Sequence, residues 1–182
     1  MKALLSFTIE NFRSLCQRKT ISFVPTAIKD EPLDNIYTSD GYRYLRTAAI
    51  YGANSSGKSN VVRGMAAMSR LILTSVSMND GDELVYEPFV LCRRNREEPT
   101  RYEIDFIVDG VRYYYVIANT ISKIVEEILI RVEKNGSQTK LFLRNEEGIG
   151  VNEKYFTEGI GLEERTNDNR LFLSLAGQLG GS

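Results

Sequence analysis

The sequence has no histidine. That absence removes Ser-His and Cys-His nucleophilic pairs and every His-ligated metal centre. Any hydrolytic chemistry must then use carboxylates, lysine, arginine, backbone amides and a metal ion. Cysteine is scarce: Cys16 and Cys92 stand alone, with neither CxxC nor metal-ligand spacing. Two free or buried thiols in a reducing compartment are expected. Neither sign of charge is in excess, with 23 Lys and Arg against 24 Asp and Glu. No global basic field therefore exists to hold a polyanion, although a local patch is still open. Long apolar runs are missing too. Ser6, Thr8 and Glu10 interrupt the apolar start before it becomes a signal-peptide core, and nothing approaches the ~20 apolar residues of a membrane span. The expectation is a cytoplasmic protein with no membrane partner.

What is present is enough for one domain, or one domain with a small subdomain: 182 residues, 42% of them hydrophobic and 26% charged. Leu5, Phe7 and Ile9 alternate with polar residues, as do Ile21 and Phe23, which predicts two paired strands. Residues 25–44 are polar and turn-rich and are expected to form a loop. Ala48-Ala49-Ile50-Tyr51 is a short apolar run that predicts a buried strand. Beyond Ser59 the positions Val62, Met65, Ala66, Ser69, Ile72 and Leu73 follow helical spacing. Tyr102, Ile104, Phe106 and Val108 alternate up to Asp109-Gly110, a two-residue hairpin signal, and the return strand is rich in tyrosine. A second hairpin is expected around Asn135-Gly136, its strands carrying Ile128, Ile130 and Val132, then Leu141, Phe142 and Leu143. Residues 120–127 fit either a helix or a strand, with strand favoured from Val125. Asp168 or Asn169 is placed to cap a last helix carrying Leu171, Phe172, Leu175, Ala176 and Leu179.

The sharpest motif is Gly52-Ala53-Asn54-Ser55-Ser56-Gly57-Lys58-Ser59, a full match to G-x-x-x-x-G-K-[ST] between a predicted strand and a predicted helix. Its glycines let the backbone curl so that successive N–H groups face phosphate oxygens at the positive end of a helix. Lys58 is expected to reach the β- and γ-phosphates, and the Ser59 hydroxyl to ligate Mg²⁺. ATP and Mg²⁺ are the expected ligands. No further catalytic residue is evident. Asp109 ends an apolar strand as a metal-binding acid would, but Gly110 makes it a hairpin corner. Glu126 and Glu127 read as solvated charges on a strand edge.

Taken together, three stretches resemble one known group. They are Phe7-Thr8-Ile9-Glu10-Asn11-Phe12-Arg13-Ser14, then Ile21-Ser22-Phe23, then Ile50-Tyr51-Gly52 through Ser59-Asn60. The sequence is similar to the N-terminal half of the ABC-type ATPase heads of structural-maintenance-of-chromosomes and RecF proteins. It is more similar to the overcoming-lysogenization-defect (OLD)-like bacterial ATPases, many of which act in phage defence. Glu87-Pro88-Phe89, the hairpin over residues 99–118 and Arg170-Leu171-Phe172-Leu173-Ser174-Leu175-Ala176 fit that subgroup. The resemblance implies an α/β P-loop NTPase lobe with a mixed sheet and an antiparallel β-subdomain. The expected division is a P-loop core over 1–80, the β-subdomain over 81–150 and a helical segment over 151–182. It also implies that Asn11, Arg13 and Ser14 lie near the base or phosphates, and Asn54 and Asn60 near the γ-phosphate.

Such heads complete their site with a signature loop, a Walker B acid with a following glutamate, and a switch residue from a C-terminal lobe. None of these is found here. Leu175-Ala176-Gly177-Gln178 has the look of a signature loop but sits in an amphipathic helical pattern. The expected partners are therefore ATP, a C-terminal lobe, a second head in a homodimer, and an effector protein or DNA. Two other readings stay open: a self-contained P-loop kinase or GTPase using Asp109, and a non-catalytic nucleotide sensor whose Tyr113, Tyr114 and Tyr115 present an interface.

Overall fold

The computed structural model describes residues 2–26 and 33–180. Its centre is a seven-stranded sheet in the order β2-β1-β5-β6-β7-β8-β9. The strands are β1 (Lys2–Glu10), β2 (Lys19–Ser22), β5 (Thr100–Val108), β6 (Val111–Asn119), β7 (Ile124–Val132), β8 (Gln138–Asn145) and β9 (Gly148–Val151). A separate hairpin joins β3 (Ile36–Ser39) to β4 (Tyr42–Leu45). Two helices, α1 (Lys58–Thr74) and α2 (Phe172–Leu179), cover one face of the large sheet.

The expected N-terminal strand pair forms as β1 and β2, and both hairpin turns fall where Asp109-Gly110 and Asn135-Gly136 place them. Positive φ at Asp109 (50°), Gly110 (79°) and Gly136 (85°) is the reason those residues stand there. Residues 120–127 resolve in favour of strand, which starts at Ile124.

Three expectations are corrected. First, the large sheet is not mixed: every pairing in it is antiparallel, and β1 lies between β2 and β5 in that one sheet. Second, residues 33–45 are not a plain loop, because they hold a 3₁₀ turn and the β3–β4 hairpin, tied to the sheet where Leu45 N–H donates to Phe23 O at 2.7 Å. The remainder of that expectation falls on 27–32, outside the described residues. Third, Ala48-Ala49-Ile50-Tyr51 is no buried strand. The run has no regular structure, and Ile50 and Tyr51 are 39% and 90% exposed. The physical reason is topological. Both sides of β1 are already paired, so the run has no place beside it in this sheet.

The helix-facing rows of the sheet supply the core. Phe7, Ile9, Tyr102, Tyr115, Ile117 and Phe142 are all essentially inaccessible, and α1 and α2 add Met68, Leu71, Phe172 and Leu175. Each such side chain contributes about 1.5–3 kcal/mol of burial. Helix α1 lies so close to β1 that a Cβ on Gly64 would stand 2.1 Å from Ile9 Cδ1. The opposite sheet face carries an ion network instead: Arg101 pairs with Glu103 and Glu126, Arg18 and the Tyr114 hydroxyl meet Glu103, and Arg112 holds Asp105.

Candidate functional site at the start of α1

The end of β1 and the start of α1 meet in one corner. After Glu10 the chain turns sharply, with Asn11 at φ 52° and Arg13 at φ 51°. Side chains seldom accept that region, so surrounding bonds must hold it. Phe12 and Leu15 close the turn by exchanging backbone hydrogen bonds of 2.9 and 2.8 Å. Asn11, only 2% exposed, donates to the carbonyls of Asn95, Glu98 and Pro99 and accepts from Phe89 N–H. Its amide is thereby placed as a clamp on residues 89–99. Arg13 N–H donates to Glu87 O at 2.6 Å, and its guanidinium pairs with the Glu87 carboxylate at 2.5 Å.

This turn presses on the loop 52–57. Gly57, at φ 92°, starts α1, and a Cβ there would lie 2.9 Å from Leu15 Cδ2 and 3.5 Å from Ser14 Oγ. Glycine is required both for the backbone angle and for the space. Ser14 Oγ accepts from Asn60 Nδ2 at 2.7 Å, so the turn and the first turn of α1 are bonded directly. Lys58 Nζ donates to Gly52 O at 2.7 Å and Ala53 O at 2.6 Å, which folds the ammonium over the loop mouth. Ala53, Asn54, Ser55, Ser56 and Ser59 are exposed around it.

The electrostatics are unusual for a helix start. No side chain caps α1, and its first turn holds no acidic residue while it does hold Lys58. A cation at the positive end of a helix opposes the macrodipole, and uncapped N–H groups lack partners. Both features become favourable together when an anion sits there. The loop residues 52–59, with Asn60 and Ser14, are thus gathered at one place, whereas Asn11 points away from it.

Other sequence candidates lie elsewhere. Asp109 follows β5 at the Lys2 end of β1, while the phosphate loop adjoins the Glu10 end. A nine-residue strand separates them, roughly 25–30 Å. Leu175, Ala176, Gly177 and Gln178 lie inside α2. Tyr115 is buried and donates to Glu127 at 2.7 Å, Tyr113 stacks on Phe106, and burial with the Glu103 contact pushes the Tyr114 hydroxyl up to about 12. A cleft of about 780 Å³ opens beyond the turn, but Glu10, Glu98, Glu126 and Glu146 outnumber Arg94 and Arg101 on its walls. That balance repels a polyphosphate.

One group was missed. Glu127 is not a solvated edge charge: it is fully buried, and its carboxylate accepts from Phe172 N–H (2.7 Å), Leu173 N–H (2.9 Å) and Tyr115. It caps α2 in place of Asp168 or Asn169, whose carbonyl and amide face other partners: Asp168 O accepts from Arg144 and Asn169 Nδ2 donates to Asn79 O and Asp82 O. Burial raises the Glu127 pKa against the lowering pull of those donors and of Arg144, its cross-strand neighbour. Its place between inward Leu129 and the helix was the available signal. Ile128 and Ile130 on the other parity drew attention to the wrong face.

A glycine-rich cup at an uncapped helix start, with its lysine and serine, defines the class: a P-loop nucleotide-binding domain. The family described as "AAA domain, putative AbiEii toxin, Type IV TA system" matches residues 48–170, more than half of the chain, and the chain belongs to that family. No curated protein matches it. Among the described residues, no helix is long and apolar enough to cross a membrane.

Proposed function

We propose that this chain binds Mg·ATP at Gly52, Ala53, Asn54, Ser55, Ser56, Gly57, Lys58 and Ser59, as the N-terminal lobe of an ABC-type ATPase head. The observation that carries the reading is the uncapped, acid-free start of α1 with Lys58 beside it. These groups fit a triphosphate: free N–H groups and one ammonium for the phosphates, and the Ser59 hydroxyl for the metal. Asn60 and Ser14 brace the cup, and Arg13, one residue before Ser14 and paired with Glu87, would supply a further cation if released toward it. Bound Mg²⁺ would offset charge on the phosphate oxygens.

Hydrolysis in this reading needs a second lobe. Among the described residues no group of three or more His, Cys, Asp or Glu is arranged to hold a metal ion. Ile50, Tyr51 and Val62 are exposed apolar side chains close to the loop in the chain, and Leu73 continues the exposed side of α1 toward its far end, which suits a C-terminal lobe carrying the missing acids. ATP then joins two heads as a homodimer and its hydrolysis releases them. A place among OLD-like defence ATPases is compatible with the toxin–antitoxin wording of the family description, with an effector protein or DNA as the downstream partner.

The test is a Mg·ATP titration of the protein beside Lys58→Ala. Loss of a charge-assisted contact of about 1.5–3 kcal/mol should weaken binding roughly 10- to 100-fold. Equal binding by both proteins would overturn the reading. Turnover by these 182 residues alone at ~1–100 s⁻¹ would instead remove the second lobe from it. A self-contained kinase or GTPase using Asp109 predicts that Asp109→Asn abolishes activity; here it leaves ATP binding unchanged.

A further inference from the structure

We infer that Glu87 is a positioning residue that competes with bound triphosphate for the Arg13 guanidinium, and so sets how much of that cation the phosphate loop receives. The inference rests on the nucleotide-binding reading above and adds a regulator to the same site. Four observations converge on it. The Arg13 guanidinium meets Glu87 through Nη2 at 2.5 Å, while Arg13 Nε is buried without a hydrogen-bond partner. One arm of the guanidinium fork is therefore unused. Both side chains are partly in water, 36% and 43% exposed, so their attraction is screened and weak. Phosphate oxygens match the planar fork with two parallel donors, a stronger arrangement than one contact to a carboxylate.

The backbone makes an exchange possible without refolding. Arg13 N–H stays on Glu87 O, and Asn11 Oδ1 accepts from Phe89 N–H, so the turn and residues 87–89 are held at two points independent of the side-chain pair. The next residue, Ser14, already touches Asn60 in the first turn of α1, and Leu15 lies against Gly57. Arg13 is thus the residue one position from the phosphate cup, parked on a carboxylate, with its Cζ 5.7 Å from the centre of the Phe12 ring. The left-handed backbone at Asn11 and Arg13 is what turns the side chain to that position.

The experiment is a double-mutant cycle read by Mg·ATP titration: wild type, Glu87→Gln, Arg13→Gln and the pair. Glu87→Gln should tighten binding about two- to fivefold, the reach of one exposed ion pair. The gain should vanish in the Arg13→Gln background and shrink as salt rises, with the melting temperature unchanged. Glu87→Asp, which keeps the charge but withdraws the carboxylate, should give part of the gain. Binding that is unchanged or weaker in Glu87→Gln overturns the inference. So does an equal gain with and without Arg13, which would mean a general charge effect. Failure of the wild type to bind Mg·ATP sinks the underlying nucleotide reading, whereas binding with zero coupling sinks only the role of Glu87.

Discussion

The two ends of α1 are built on opposite plans. At its C-terminal end the surrounding polar groups are largely answered from within the protein. Ser174 Oγ donates to Ile72 O, Leu171 N–H reaches Ser75 Oγ, Arg170 reaches Met78 O, and Asn169 reaches Asn79 O and Asp82 O. Behind them stand Glu127 on α2 and Arg144 on the carbonyls of Asn167, Asp168 and Arg170. At the N-terminal end the helix is uncapped and the loop before it is exposed. The contrast teaches a division of labour. One end fixes the helix to the sheet, which lets the other keep donors and a cation ready for a ligand at the cost of local stability.

The largest blow to that contrast should come from Glu127→Ala. It leaves two α2 N–H groups, the Tyr115 hydroxyl and the largely buried Arg144 without their carboxylate. Breaking such a buried charge network costs about 3–5 kcal/mol, to be read from urea unfolding. A cost under ~1 kcal/mol would show that the gripped end is not the anchor.

The pH profile sharpens the same point with a smaller effect. The folded-state pKa of Glu127 is raised above 4.5 by burial, so the folded protein holds that proton more tightly than the unfolded chain. Its contribution to stability is then full below pH 4.5 and is lost as pH rises through the folded value. The stability of the wild type relative to Glu127→Gln should therefore fall with rising pH above that point, by at most about 1.4 kcal/mol per unit. A difference that is flat, or that grows with pH, would mean the donors outweigh desolvation.

Much of this was legible beforehand, and the failures share a cause. Local chemistry fixes turns and the loop: Asp109-Gly110 needs positive φ whatever surrounds it, and Gly57-Lys58-Ser59 starts a helix on its own terms. Long-range pairing is not local. Ala48-Ala49-Ile50-Tyr51 has the composition of a buried strand, but its burial depends on a pairing partner, and both sides of β1 are already taken by β2 and β5. The face of β7 was likewise unreadable, because Ile128 and Ile130 are half-buried on one side while Glu127 and Leu129 point at the helices on the other. Asn11 shows the limit at the site itself. Its neighbours Ser14 and Leu15 adjoin the start of α1, yet its amide faces residues 89–99, a partner some 80 positions away.

Between the two ends, Gly64 measures how tightly the middle of α1 lies on β1. Gly64→Ala gains about 1 kcal/mol of helix propensity but drives a methyl into Ile9, which is fully buried. Overpacking costs about 1–3 kcal/mol, so a net loss near 1 kcal/mol is expected. Ile9→Val removes the offending Cδ1. The double variant should then be less destabilised than the sum of the single changes, and strict additivity would show that the sheet and helix are not in close contact there.

The smallest effect is expected on the outer flank of α1, and its smallness is the point. The inward stripe Gly64, Met68, Leu71 and Ser75 is buried, whereas Val62 and Leu73 on the other side are 58% and 73% exposed. Apolar side chains at helical spacing normally predict one buried stripe; here both sides are apolar and only one is covered. Leu73→Ser removes no described packing, so it should shift unfolding by no more than about 0.5 kcal/mol. If the flank seats a C-terminal lobe, the same change should weaken association with that lobe while leaving Mg·ATP binding to these residues untouched. A stability loss above 1 kcal/mol in this chain alone would mean that the flank is already packed.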